Sequence, residues 1–116
     1  MAETKGWPVR LTEMAEADFV EIVRWTTEQF GERQAEIYMQ TLLTALDALH
    51  EGPDIPRAKE RDDLAKGVRI LHAARDGRRA RHFIVFRVDA GDKEKGEIQI
   101  LRFLHDSMDL SRHPLI

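Results

Sequence analysis

The chain has no cysteine, which excludes a disulfide framework and any thiolate metal site. It has no His-x-x-x-His or His-Glu-x-x-His spacing, so a zinc site of the usual helical kind is excluded as well. His105 and Asp106 are adjacent in a predicted strand and would point to opposite faces, so they do not make a ligand pair. No glycine-rich phosphate loop is present, since DAGDKEKG lacks the ordered spacing and carries acids. No apolar run approaches the ~18 residues of a membrane span. The opening MAETKGWP has no apolar signal-peptide core. These absences imply no cofactor, no metal, no membrane and no small-molecule ligand, and they fit a cytoplasmic protein. Repeats, low-complexity segments and linkers are missing too. A single domain over residues 1–116 is expected, with residues 1–8 loose.

What is present can build a core: 42% of the 116 residues are hydrophobic and 34% are charged. The net charge of −3 hides an asymmetry. Residues 1–65 carry 7 Lys/Arg against 14 Asp/Glu, and residues 66–116 carry 11 against 7. The basic side is concentrated in Lys66, Arg69, Arg75, Arg78, Arg79, Arg81 and Arg87. Such a field attracts an acidic protein or nucleic acid, or it is a solvated sheet face balanced by acidic helices.

Val9 to Leu11 reads as a short strand after Pro8. From about Met14 the apolar period changes. Ala15, Phe19, Ile22, Val23, Thr26 and Phe30 recur at three and four, which is one face of a helix. Gly31 then takes the position after a helix end that favours a left-handed backbone. Ala35, Tyr38, Met39, Leu42, Leu46 and Leu49 form a second stripe, ended by Gly52-Pro53. Two helices so closely joined run antiparallel, and the apolar surface they leave needs a sheet.

That sheet is predicted from Val68–Ala73, Arg81–Val88 and Glu97–His105, an antiparallel meander. Arg75-Asp76-Gly77-Arg78 reads as a tight hairpin turn, Asp89–Gly96 as a charged loop, and Asp54–Lys66 as a loop or one short helix. The expected fold is α+β, a helical hairpin packed on a small, mostly antiparallel sheet in the order β-α-α-β-β-β. Arg87 and Arg102 interrupt apolar strands and mark faces that are partly open. In the tail, Met108 and Leu110 are apolar, and Asp109 is placed to cap a short terminal turn. Trp25 is expected in or beside the helical hairpin. Trp7 is a candidate partner contact.

The run ADFVEIVRWTTEQFGERQAEIYMQTLLTALDALHEGPDIPR, then LAKGVRIL, RHFIVFRV and IQILRFLHDSMDLSRHP, resembles the RelE/ParE toxins of bacterial type II toxin–antitoxin systems. The resemblance extends from about Leu11 to His113, and the terminal LH..MD...H is more like the ParE branch. It implies a RelE/ParE-like fold and a toxin neutralised by a cognate, ParD-like antitoxin. In the ParE branch it implies binding to DNA gyrase with no catalytic step. In the RelE branch it implies a ribosome-dependent mRNA endonuclease.

RelE-like enzymes use basic side chains on the sheet with a Tyr or His near the C-terminus. The matching positions here fall on Val68, Ile70, Phe83 and Asp106, none of which serves a phosphate. The one tyrosine, Tyr38, lies in the second helix and is set aside. A residual nuclease would need His105, His113, Arg69, Arg81 and Arg102 to converge. A further reading keeps the fold but not the toxicity, as an antitoxin-binding module. The candidate partner-binding residues are Arg69, Arg78, Arg81, Arg87, Arg102 and His105. They would meet an acidic antitoxin segment through desolvated charge pairs or through a strand added to a sheet edge. Direct nucleic-acid binding is not expected, because both long helices are acidic.

Overall fold

The computed structural model describes residues 6–75, 77–89 and 96–115. Strand β1 is Val9–Leu11, and helix α1 is Glu13–Phe30. Thr12 starts that helix, its hydroxyl accepting the Ala15 N–H while Glu13 and Glu16 sit in the favourable first turn. Helix α2, Glu32–Ala48, follows after the single residue Gly31, whose φ of 94° closes α1 by donating to the Thr27 carbonyl. A 3₁₀ turn, Leu49–Glu51, ends at Gly52.

Four more strands follow among the described residues: β2 Lys59–Glu60, β3 Val68–His72, β4 His82–Asp89 and β5 Glu97–His105. The sheet order is β1-β5-β4-β3-β2. The meander β3-β4-β5 is antiparallel as expected, and β1 runs parallel to β5 with Val9 opposite Ile98. Two sequence expectations change. Asp54–Lys66 is neither plain loop nor helix, because Lys59 and Glu60 pair with Ile70 and Arg69 at the sheet edge. The β3–β4 connection is longer than a two-residue hairpin, since the ladder ends at His72 opposite Phe83, with one further bond from the Ala73 N–H to the His82 carbonyl. Asp76 of that turn and most of the charged Asp89–Gly96 loop lie outside the described residues.

The alternation of β4 separates two cores. Ile84 and Phe86 face the helices with Leu71, Ile98, Ile100 and Phe103, and they pack on Ala15, Leu42, Ala45 and Leu49. Val85 faces the other way with Val68, Ile70, Leu101 and Leu104. That second face is covered by Leu64 and by the tail residues Leu110 and Leu115. A register shift opposite Val85/Phe86 lets Ile100 and Phe103 both reach the helix side. Asp109 caps the tail as expected, accepting the Ser111 N–H at the start of a 3₁₀ turn, Leu110–Arg112. Of the first eight residues, Gly6 to Pro8 are described, and Trp7 donates its N–H to the His50 carbonyl at 2.7 Å. No helix among the described residues is long and apolar enough to cross a membrane.

Candidate functional site

Beyond β1, the edge of β5 has no strand partner, and Asp18 of α1 takes that place. Its carboxylate accepts the Phe103 N–H and a two-pronged bond from Arg102, with Nε at 2.7 Å and Nη2 at 3.0 Å. Arg102 also donates to the Pro114 carbonyl. Arg102 is therefore a clasp joining helix, sheet and tail. Arg69 is likewise occupied, by Asp54, Glu60 and the Pro53 carbonyl. Arg87 donates to Gln99, which donates in turn to Asp89. Three of the six predicted partner-binding residues thus hold the fold together.

The other three gather at one place. A groove of about 870 Å³ runs between the Gly31 end of the helical hairpin and the β3–β4 connection. One wall presents Trp25, Phe30 and Ile37, which are 53%, 63% and 46% exposed. Trp25 meets Phe30 edge to face, so it lies beside the hairpin, uncovered. The facing wall is Arg78, Arg79, Ala80 and Arg81, and the end is closed by Tyr38, His82 and His105. Helix α2 holds the arginine wall in place. The Tyr38 hydroxyl accepts the Arg81 N–H at 2.9 Å, and Thr41 accepts from Arg78 Nη1 at 3.3 Å.

Tyr38 of helix α2, set aside for RNA chemistry, lines this groove. Its hydroxyl lies 2.6 Å from His82 Nδ1. The hydroxyl thus bridges the Arg81 backbone N–H and the His82 ring. Burial raises the Tyr38 pKa and keeps it a phenol. Burial, with His105 close by, pulls His82 down to about 4, so it stays neutral. The His82 and His105 rings are 5.2 Å apart, edge to face. Nδ1 of His105 accepts the Ser107 N–H at 3.1 Å and lies 2.7 Å from the Ser107 hydroxyl. His82 was not singled out in the sequence, because inside the apolar run HFIVF it reads as a strand residue.

Behind the arginine wall stands Asp106. It accepts Arg81 Nε at 3.0 Å and Nη2 at 2.9 Å, and His72 Nε2 at 2.8 Å. The Arg81 guanidinium, followed by His72, holds the Asp106 carboxyl down at about 2. His72 is fixed in turn by the Ala74 N–H on its Nδ1. His113 follows the terminal 3₁₀ turn, and neither it, Arg69 nor Arg102 lines the groove. The five residues that a nuclease would need do not converge. Among the described residues no cluster of His, Asp or Glu is arranged to hold a metal ion.

The domain is thus a two-helix hairpin on a mixed five-stranded sheet, with a groove beside the turn that joins the helices. The family model described as the ParE toxin of the type II toxin–antitoxin system parDE matches residues 9–110, and the chain belongs to that family. Toxin ParE1 of Mycobacterium tuberculosis, from two strains, is 33% identical over 103 residues, which is 89% of this chain and 93% of the relative. Two solved structures share the fold. One is a chromosomal ParDE toxin–antitoxin system from P. aeruginosa, with TM-score 0.64, 24% identity, and 85% and 95% of the two chains covered. The other is the toxin–antitoxin complex RelBE2 from Mycobacterium tuberculosis, with TM-score 0.51, 20% identity, and 90% and 97% covered.

Proposed function

We propose that this ParE-family toxin acts by binding DNA gyrase, without a catalytic step of its own. A ParD-like antitoxin neutralises it by laying an amphipathic helix with acidic residues in the groove. The observation that carries the antitoxin reading is the pairing of walls: three exposed apolar side chains, Trp25, Phe30 and Ile37, opposite Arg78, Arg79 and Arg81. A helix presents apolar anchors at three- and four-residue spacing with charges along its flank, which matches such a cleft. Strand addition does not fit here. His82 at the groove's end is already in register with His105, and the sheet edges lie at β1 and β2.

The same geometry speaks against ribonuclease chemistry. His82 is tied to Tyr38 and His105 to Ser107, so neither imidazole is left unengaged as a general base requires. Asp106 holds a carboxylate against Arg81, the cation that a phosphate would need.

The test is a paired assay on the purified chain freed of its partner, one arm reading gyrase supercoiling and the other ribosome-programmed mRNA cleavage. Loss of supercoiling with intact mRNA is expected. Cleavage would replace this reading by the RelE-like one, and silence in both arms would leave an antitoxin-binding module. The antitoxin should restore supercoiling, and Trp25→Ala with Phe30→Ala should weaken its binding by at least about tenfold, as for apolar anchors in a groove.

A further inference from the structure

The mouth of the groove is built around an arginine that is already half paired. Asp106 engages the Nε/Nη2 edge of Arg81, and among the described residues Nη1 meets no acceptor. The Arg81 side chain is nevertheless 66% exposed, so its free edge is open to a second anion. The pairing is over-determined. Asp106 also donates its own N–H to the Arg81 carbonyl at 2.8 Å, and it accepts His72 Nε2. The guanidinium is therefore held at a fixed orientation instead of sweeping through solvent, which lowers the entropy lost on binding.

The carboxylate that orients Arg81 also changes which anion it prefers. One negative charge behind the guanidinium nearly cancels its field at longer range. The bidentate geometry of the free edge remains. A monoanionic carboxylate gains that geometry and meets one unit of repulsion from Asp106. A phosphate near its dianionic form is drawn about twice as strongly by Arg81 and repelled about twice as strongly by Asp106, so this carboxylate removes much of the advantage that double charge would otherwise bring. We infer that Asp106 is a specificity-determining residue, positioning Arg81 to take a carboxylate from a protein partner and cancelling much of the preference for phosphate that a bare arginine would show. This deepens the reading of the groove as an antitoxin site by naming the group recognised, yet it is testable on the free chain alone.

The experiment is a titration of the intact protein with sodium acetate and, separately, with inorganic phosphate at matched ionic strength and pH 7.5. The readouts are the ¹⁵N resonances of the Arg81 side chain and of the His82 and His105 rings. In the wild type, acetate and phosphate should move the Arg81 signal at concentrations within about tenfold of each other. Asp106→Asn should shift the ratio of the two affinities by about tenfold toward phosphate, and Asp106→Glu should restore the original ratio. A wild-type preference for phosphate well beyond about tenfold, an unchanged ratio in Asp106→Asn, or no Arg81 response to either anion would each overturn the inference. Since no antitoxin is present, a failed antitoxin assay and a failed anion titration remain separate results.

Discussion

At the scale of single residues, the most consequential polar contact outside the groove is Asp18 with Arg102. Both side chains are largely buried, 17% and 14% exposed. Removing one partner strands the other charge away from water. Asp18→Asn is expected to lower the unfolding free energy by about 3 kcal/mol, read from urea denaturation at constant m. A loss below about 0.5 kcal/mol would place this pair with ordinary surface ion pairs. His82 supplies a second test, through pH. Its folded pKa of about 4 lies below the ordinary histidine value of 6.5. The unfolded chain therefore binds the proton first as pH falls. The stability tied to neutral His82 is complete above pH 6.5 and is lost on the way down to about 4. In His82→Asn the amide oxygen can still accept the Tyr38 proton, and the stability–pH profile should be flatter across that window. Asp106, held at about 2, contributes at lower pH, from about 3.8 downward, so the two effects separate along the pH axis.

At the scale of elements, the sequence was legible wherever one period ran unbroken. The α1 stripe as far as Thr26, the α2 stripe, the β5 limits and the Asp109 cap follow from spacing and end signals, and these match. Legibility failed where structure comes from pairing alone. Lys59 and Glu60 carry no strand signal, being charged and exposed, and they are a strand only because β3 offers an edge. At the site, legibility did not reach the internal pairings. Sequence reasoning saw the arginines as one cluster, but half of its candidate residues were committed to internal partners, Arg69 to Asp54 and Arg102 to Asp18 among them. Such partners lie far off in the chain and leave no local trace. Phe30 has the phase of a core residue yet stands 63% exposed, because it sits at the last residue of α1, past the sheet. The joint between the helices can be tested directly. A Cβ at Gly31 would meet nothing within 4 Å, but φ is 94°. Gly31→Ala should therefore cost only the backbone term, about 1–2 kcal/mol, seen as a lower thermal midpoint. A larger loss would mean that the hairpin angle itself had shifted.

At the scale of the whole molecule, the fold divides its charged residues between two tasks. Asp18, Asp54 and Asp109 spend their carboxylates on holding elements together, while the loop before β4 is left to present Arg78, Arg79 and Arg81. The second sheet face, which carries Val68 and Ile70, is filled by Leu110, Leu115 and Leu64. The groove lies on the helix side, and the proposed antitoxin contact rests there.

The parallel pairing of β1 with β5 joins Val9 to Ile98, nearly the full reach of the described chain. Strand β5 is also the partner of β4 and the support for α1 through Phe103 and Asp18. A gene interrupted even as late as the codon for Glu97 therefore yields no lesser version of the protein. It yields two helices and a partial sheet with Leu42, Ile84 and Phe86 uncovered, fit for proteolysis and not for toxicity. For a cell carrying such a gene, late nonsense mutations are as disarming as early ones, and a half-made toxin is no toxin.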